Sequence, residues 1–188
     1  QYCILTKKPI CEEIKDSTSI IGYGENNYDE CYYRYLQNFI DCVGKEEQNI
    51  IFAPTSNYAR KIATNISGFN SEKPIEDLVD YFRDTINANY SMCESLKNGV
   101  AYHHGKLPMH VRSTIEKAIS KKWIGTVVCT TTLMQGVNMP AQNIIIRNPH
   151  LYTRRTNNVA ELSNYEMANL RGRAGRLLKD FIGRTFVM

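Results

Sequence analysis

Short runs of strand type alternating with amphipathic helices predict an α/β domain: a mainly parallel sheet with helices on both faces. Three observations carry that class. Runs of four or five strand-forming residues stand at 49–53, 100–104, 126–130, 143–146 and 184–188. Between them, apolar residues recur at spacings of three and four, the period of a helix with one buried face. Glycine, proline and capping residues punctuate the changes of period.

Residues 1–28 are a poorly patterned N-terminal segment in which "GYGENN" marks a loop, and 29–188 read as the folded domain. Tyr32, Tyr35, Leu36, Phe39, Ile40 and Val43 line one face of a helix that Gly44 should end. "DECY" at 29–32 follows no apolar strand and reads as the start of that helix, not as a metal-binding box. "NIIFA" is a strand, followed by a helix with Ser56 as candidate cap and Ala59, Ile62, Ala63 and Ile66 on one face, closing at Gly68. Pro74 fits the first position of a helix carrying Ile75, Leu78, Val79, Phe82 and Ile86, while Ser91 and Glu94 form a capping box for a short helix ending near Gly99. "VAYHH" is a strand, Pro108 opens a helix with Val111, Ile115, Ala118 and Ile119, and "TVVCT" and Asn143–Ile146 are strands. Ser163 with Glu166 caps a further helix, and "RTFVM" is a last strand.

The chain of 188 residues is 43% hydrophobic and 22% charged, enough apolar mass for one core, and its net charge of +4 permits a polyanionic partner without requiring one. No apolar run approaches the roughly 20 residues of a membrane helix. The expectation is a piece of a soluble protein, intracellular and cytoplasmic, with no membrane partner. Six cysteines without a C-x-x-C fit reduced, mostly buried thiols, and the adjacent His103 and His104 lack the spacing of zinc ligands. The glycosylation acceptor pattern occurs at Asn65 and Asn89, but nothing else in the chain points to secretion.

In a parallel sheet, ligands sit beyond the carboxyl ends of the strands, so the loops at 54–57, 104–107 and 130–141 should share one edge and carry the chemistry. The densest chemical signal is "NLRGRAGR" at 169–176, three arginines and two glycines in eight residues. Arginine presents a planar fork of donors that fits phosphate oxygens, and glycine lets the backbone approach closely. A solvated basic helix end is the alternative reading of that stretch alone.

Four segments in order give the context. "NLRGRAGR" resembles motif VI, and "TTTLMQGVNMPA" (130–141) resembles motif V, of the second RecA-like motor domain of superfamily 2 DEAD/DEAH-box helicases, in their superkiller-type branch. "IIFAPTSNYARKIA" (50–63) is similar to motif IV, and "GVAYHHGKLPMHVRSTIE" (99–116) to the G-V-A-x-H-H segment of that branch with its downstream arginine. The resemblance covers roughly residues 49–188 and implies a RecA-like three-layer α/β/α domain of P-loop NTPase type.

That resemblance implies a role for each matching residue. Arg173 and Arg176 would reach the γ-phosphate of ATP, Arg176 as the arginine finger, with Gly136, Asn138, Asn169 and Gly172 lining the nucleotide cleft. Asn169 stands where the family commonly has glutamine, and Arg171 falls at a variable position. Thr55, Thr130 and Thr131 would meet nucleic-acid phosphates, and His103, His104, Gly105, Lys106 and Arg112 would line the same path. In that path Gly105-Lys106 replaces the family's Ala-Gly, and in motif IV Ser56 replaces an arginine.

No G-x-x-x-x-G-K-[ST] occurs, so the ATP, with Mg2+ held mainly by an upstream RecA-like domain, would bridge two halves of a motor. The expected function is the C-terminal motor domain of an ATP-dependent helicase acting on single-stranded or partly duplex DNA or RNA, inactive alone. Two alternatives stay open: a catalytically inactive, helicase-like nucleic-acid-binding scaffold, and a stand-alone enzyme that uses "GRAGR" for a small phosphorylated substrate.

Overall fold

The computed structural model describes residues 2–3, 8–9, 28–44, 46–131, 141–146, 150–153, 158–161, 168–169 and 183–187. The strands and helices are β1 (Tyr2–Cys3), β2 (Lys8–Pro9), α1 (Tyr28–Gly44), β3 (Asn49–Phe52), α2 (Ser56–Asn65), α3 (Glu72–Thr85) and α4 (Ser91–Lys97). There follow β4 (Val100–His103), α5 (Met109–Ser120), β5 (Thr126–Cys129), β6 (Asn143–Ile146), β7 (His150–Thr153), β8 (Asn158–Glu161) and β9 (Arg184–Val187). Five of the strands form one sheet in the order β4-β5-β3-β6-β9. Every pair in it is parallel. This is the α/β, RecA-like class read from the sequence.

Every residue of β3, β4, β5 and β6 is buried, so both faces of the sheet are covered. The crossovers explain how. The chain moves outward from β3 to β4 and back from β4 to β5, and right-handed connections in opposite directions leave from opposite faces. Helices α2 and α4 therefore cover one face, with Ala59, Ile62, Met92 and Leu96 buried, and α5 covers the other with Val111, Ile115 and Ala118. Each fully buried aliphatic or aromatic side chain contributes about 1.5–3 kcal/mol by leaving water. α1 is tied on by Gln37, which accepts from the Ser67 amide at 2.7 Å, and by an edge-to-face contact of Phe39 with Phe186 of β9 at 5.0 Å.

The amino-terminal edge of the sheet is closed by polar side chains. Asn143 Nδ2 donates to Asn49 Oδ1 at 2.9 Å and to Glu47 Oε2 at 2.8 Å, Arg184 reaches the same carboxylate at 3.1 Å, and Gln48 Nε2 donates to the Ile119 carbonyl at 2.7 Å. These bonds satisfy groups that would otherwise be buried unpaired.

Several local expectations need correction. Thr55, not Ser56, is the N-cap of α2: its Oγ1 accepts from the Tyr58 amide at 3.3 Å. Ser91 forms no capping box, because its hydroxyl lies 2.8 Å from the Tyr102 hydroxyl and the cap position is Tyr90. α3 begins before Pro74, with Ser71 as its cap position. The antiparallel pairs β1–β2 and β7–β8 had no counterpart in the sequence reading. The helix expected after Ser163 is represented only by residues 168–169, and Ser163 and Glu166 lie outside the described residues. Among the described cysteines, Cys93 and Cys129 are buried and free, while Cys42 is free and exposed.

Candidate nucleic-acid interface at the strand ends

Parallel pairing puts the ends of β4, β5 and β3 side by side: His103 is in register with Cys129, and Cys129 with Phe52. Two backbone bonds carry the pairing past the strands. The Ala53 amide donates to the Cys129 carbonyl at 2.8 Å, and the Thr130 amide to the His103 carbonyl at 3.2 Å. The loops that hold Thr55, His104 to Lys106, and Thr130 with Thr131 thus leave one edge as neighbours. Gly105 and Lys106 are exposed, Thr55, His104 and Thr131 are half-buried, and Thr130 is buried.

Strand alternation separates the two histidines. His103 points to the α5 face, where its Nε2 lies 2.9 Å from Glu116 Oε1 and its ring is 1% exposed. An ionised carboxylate only accepts, so Nε2–H donates and Nδ1 is left as an acceptor, buried without a partner. Burial holds the His103 pKa below the usual imidazole value; Glu116 opposes that shift and Arg112 adds to it. The sequence expectation that His103 lines the nucleic-acid path therefore gives way to an anchoring role: it ties the end of β4 to α5. Arg112, on the same helix, is half-buried with its Nε buried and unpartnered.

His104 points the other way, toward α2 and α4, and stacks on Tyr102 with ring centroids 5.7 Å apart and planes 17° from parallel. Its pKa is also lowered, first by burial and then by the charges of His103, Lys106 and Arg60. Beside it opens a cavity of about 490 Å³. Arg60 of α2, Asn87 and Asn89 of the α3–α4 turn, and Tyr90 at the start of α4 line it. The sequence reading missed these four as a set, because they come from three elements; only Arg60 lay within a segment resembling a helicase motif.

Gly136, Asn138, Gly172, Arg173 and Arg176, with Arg171, lie outside the described residues. Asn169 is described as helical and half-buried. Among the described residues no group of three His, Cys, Asp or Glu side chains is placed to hold a metal ion.

The chain matches no protein-family model. It is similar to the ATP-dependent DNA helicase Hel308 of Thermoplasma volcanium, with 35% identity over 129 residues, covering 69% of this chain and 18% of that protein. Hel308 of Pyrococcus horikoshii is 26% identical over 169 residues, 87% of this chain and 22% of that protein. The human helicase POLQ-like is 30% identical over 152 residues, 74% of this chain and 13% of that protein. The chain thus spans about a fifth or less of the length of these relatives. Sheet order, edge loops and these similarities agree: the chain is a helicase-related α/β domain.

Proposed function

We propose that this chain is the C-terminal motor domain of an ATP-dependent helicase that grips a nucleic-acid strand at the carboxyl edge of its sheet. The observation that supports this most is the convergence of the loops after β3, β4 and β5, each carrying hydroxyl, amide or cationic groups suited to backbone phosphates. Thr55 stands at the N-terminus of α2, where free amides and the helix dipole favour an anion. Thr130, Thr131, His104, Gly105 and Lys106 flank it on the neighbouring loops, and Arg112 lies on the α5 side.

In this reading Arg173 and Arg176 reach across a cleft to ATP held by an upstream RecA-like domain, which also holds most of the Mg2+ coordination. Gly136, Asn138, Asn169 and Gly172 contribute to the wall of that cleft. A guanidinium placed on a transferring phosphoryl group accelerates hydrolysis by about 10³–10⁵-fold. Opening and closing of the cleft would shift the grip along the strand, and the domain alone would be inactive.

The test is polynucleotide-stimulated ATP hydrolysis by the protein carrying both motor domains, wild type beside Arg176→Ala. A stimulated rate that falls at least about a hundredfold in the variant, with strand binding retained, supports the motor. No stimulated turnover in the wild type would favour the scaffold alternative.

A further inference from the structure

The cavity beside His104 has a different character from the phosphate-binding loops. Its lining combines the half-buried His104 ring, the apolar Leu107, Tyr90, and the amides of Asn87 and Asn89, with a single cation, Arg60. Phosphate sites are built from converging cations and backbone amides; stacked rings with side-chain amides suit a planar heterocycle.

The geometry supplies a prepared platform. Tyr102 is buried, with its hydroxyl 2.8 Å from that of Ser91, and its ring lies near-parallel to that of His104 with centroids 5.7 Å apart, so the two rings form an aromatic side to the cavity they both line. His104 Nδ1 is buried without a hydrogen-bond partner. The far wall is also set: the Asn87 Oδ1 accepts from the Asn89 amide at 2.8 Å, and the Tyr90 amide donates to the Asn87 carbonyl at 3.1 Å. With its oxygen engaged in that turn, Asn87 retains its amide nitrogen as a donor. Arg60 is held toward Asn57 at 3.3 Å, on the side of α2 that leads to Thr55.

We propose that this cavity takes one nucleobase swung out of the bound strand, stacked on His104 beside the amides of Asn87 and Asn89, with Arg60 at its flanking phosphate. The proposal deepens the strand-binding reading and rests on it. The recess measures about 490 Å³ and opens widely to solvent, with Arg60, Asn87 and Asn89 exposed around it, so a base can enter it without rearrangement of the fold. The helical segment 64–98, which the strand-end motifs do not need, acquires a use: it builds the far wall.

The experiment is fluorescence anisotropy of the full chain with a labelled single strand of about 12 nucleotides, intact or with one abasic position walked along it. In the wild type, one register should lose about tenfold in affinity, and the neighbouring registers little. His104→Phe, which keeps a flat ring, should preserve that register effect, and His104→Ala should abolish it. Asn89 is exposed, so Asn89→Ala leaves the fold intact; it should weaken the register effect several-fold and guards against a misfolded His104 variant. Salt-sensitive strand binding that is indifferent to the abasic position in every register overturns the base pocket and leaves the phosphate-tracking reading standing. No strand binding at all overturns both.

Discussion

Replacing Glu116 with alanine removes the acceptor that holds His103. The bond is 2.9 Å long and the ring is 1% exposed, and among the described residues the carboxylate is the one side-chain hydrogen-bond partner of the imidazole. Nδ1 already has no partner, and the variant would leave Nε2 with only water entering at the partly exposed Glu116 position. Such a loss costs about 1–3 kcal/mol, toward the upper part for a bond to a charged acceptor. The Glu116 side chain is 33% exposed, and screening there brings the expectation to about 1.5 kcal/mol. For a chain of this size that lowers Tm by about 3–6 °C. Urea denaturation at constant slope is the assay, with Glu116→Gln as the companion, which keeps an acceptor and should stay within about 0.5 kcal/mol of wild type. An alanine variant within about 0.5 kcal/mol of wild type, or a glutamine variant as weak as alanine, would refute the anchoring role.

Acid should destabilise the fold through both histidines. Their folded pKa values lie below the ordinary 6.5, so the unfolded chain binds more protons and stability rises with pH. The contribution is complete above 6.5 and is lost as pH falls from there through the folded values. Denaturation midpoints measured from about pH 7.5 to 5 should therefore decline, less steeply in His104→Phe; a flat profile would contradict the assignment. Gly99→Ala should cost at least about 2 kcal/mol, because φ is +75° and the added Cβ would meet the Gly68 carbonyl oxygen and lie 2.6 Å from that of Phe69. A neutral substitution by thermal melting would mean that the α4–β4 corner rearranges freely.

The parallel core was legible in the sequence because its strands are buried on both faces. "NIIF", "TVVC" and "NIII" read as continuous apolar runs, and α1, α2 and α5 carry full helical periods. The β7–β8 pair was not legible: "HLYT" and "NVAE" mix polar with apolar residues instead of forming an apolar run, and the strand propensity of such a stretch depends on the partner strand. Capping was misread where a tertiary partner won. Ser91 had the spacing of a capping box, but the Tyr102 hydroxyl, eleven residues away, took its side chain. At the candidate site, the described parts of the edge loops, with Thr55, His104 to Lys106, Thr130 and Thr131, leave the sheet side by side as the parallel register requires. The cavity escaped notice because its residues have no common spacing; only the packing of α3 on α4, and of α2 and α4 on β4, brings them to His104.

The paired histidines show why one strand end can serve two purposes. Successive residues of β4 face opposite sides of the sheet, so a single dipeptide reaches both α5 and the α2–α4 layer. His103 spends its donor on Glu116 and fixes the end of the strand; His104, one residue later, begins the loop that this anchor holds in place. A force on the loop from a bound strand would thus pass through the His103 backbone to α5 and, through the Thr130 amide bonded to the His103 carbonyl, to the loop after β5. That loop begins the segment resembling motif V, whose Gly136 and Asn138 lie outside the described residues. If the chain is the proposed motor, Glu116→Ala should lower strand-stimulated hydrolysis in the protein carrying both motor domains more than it lowers strand binding, because the imidazole fixes the strand end from which the His104 loop leaves.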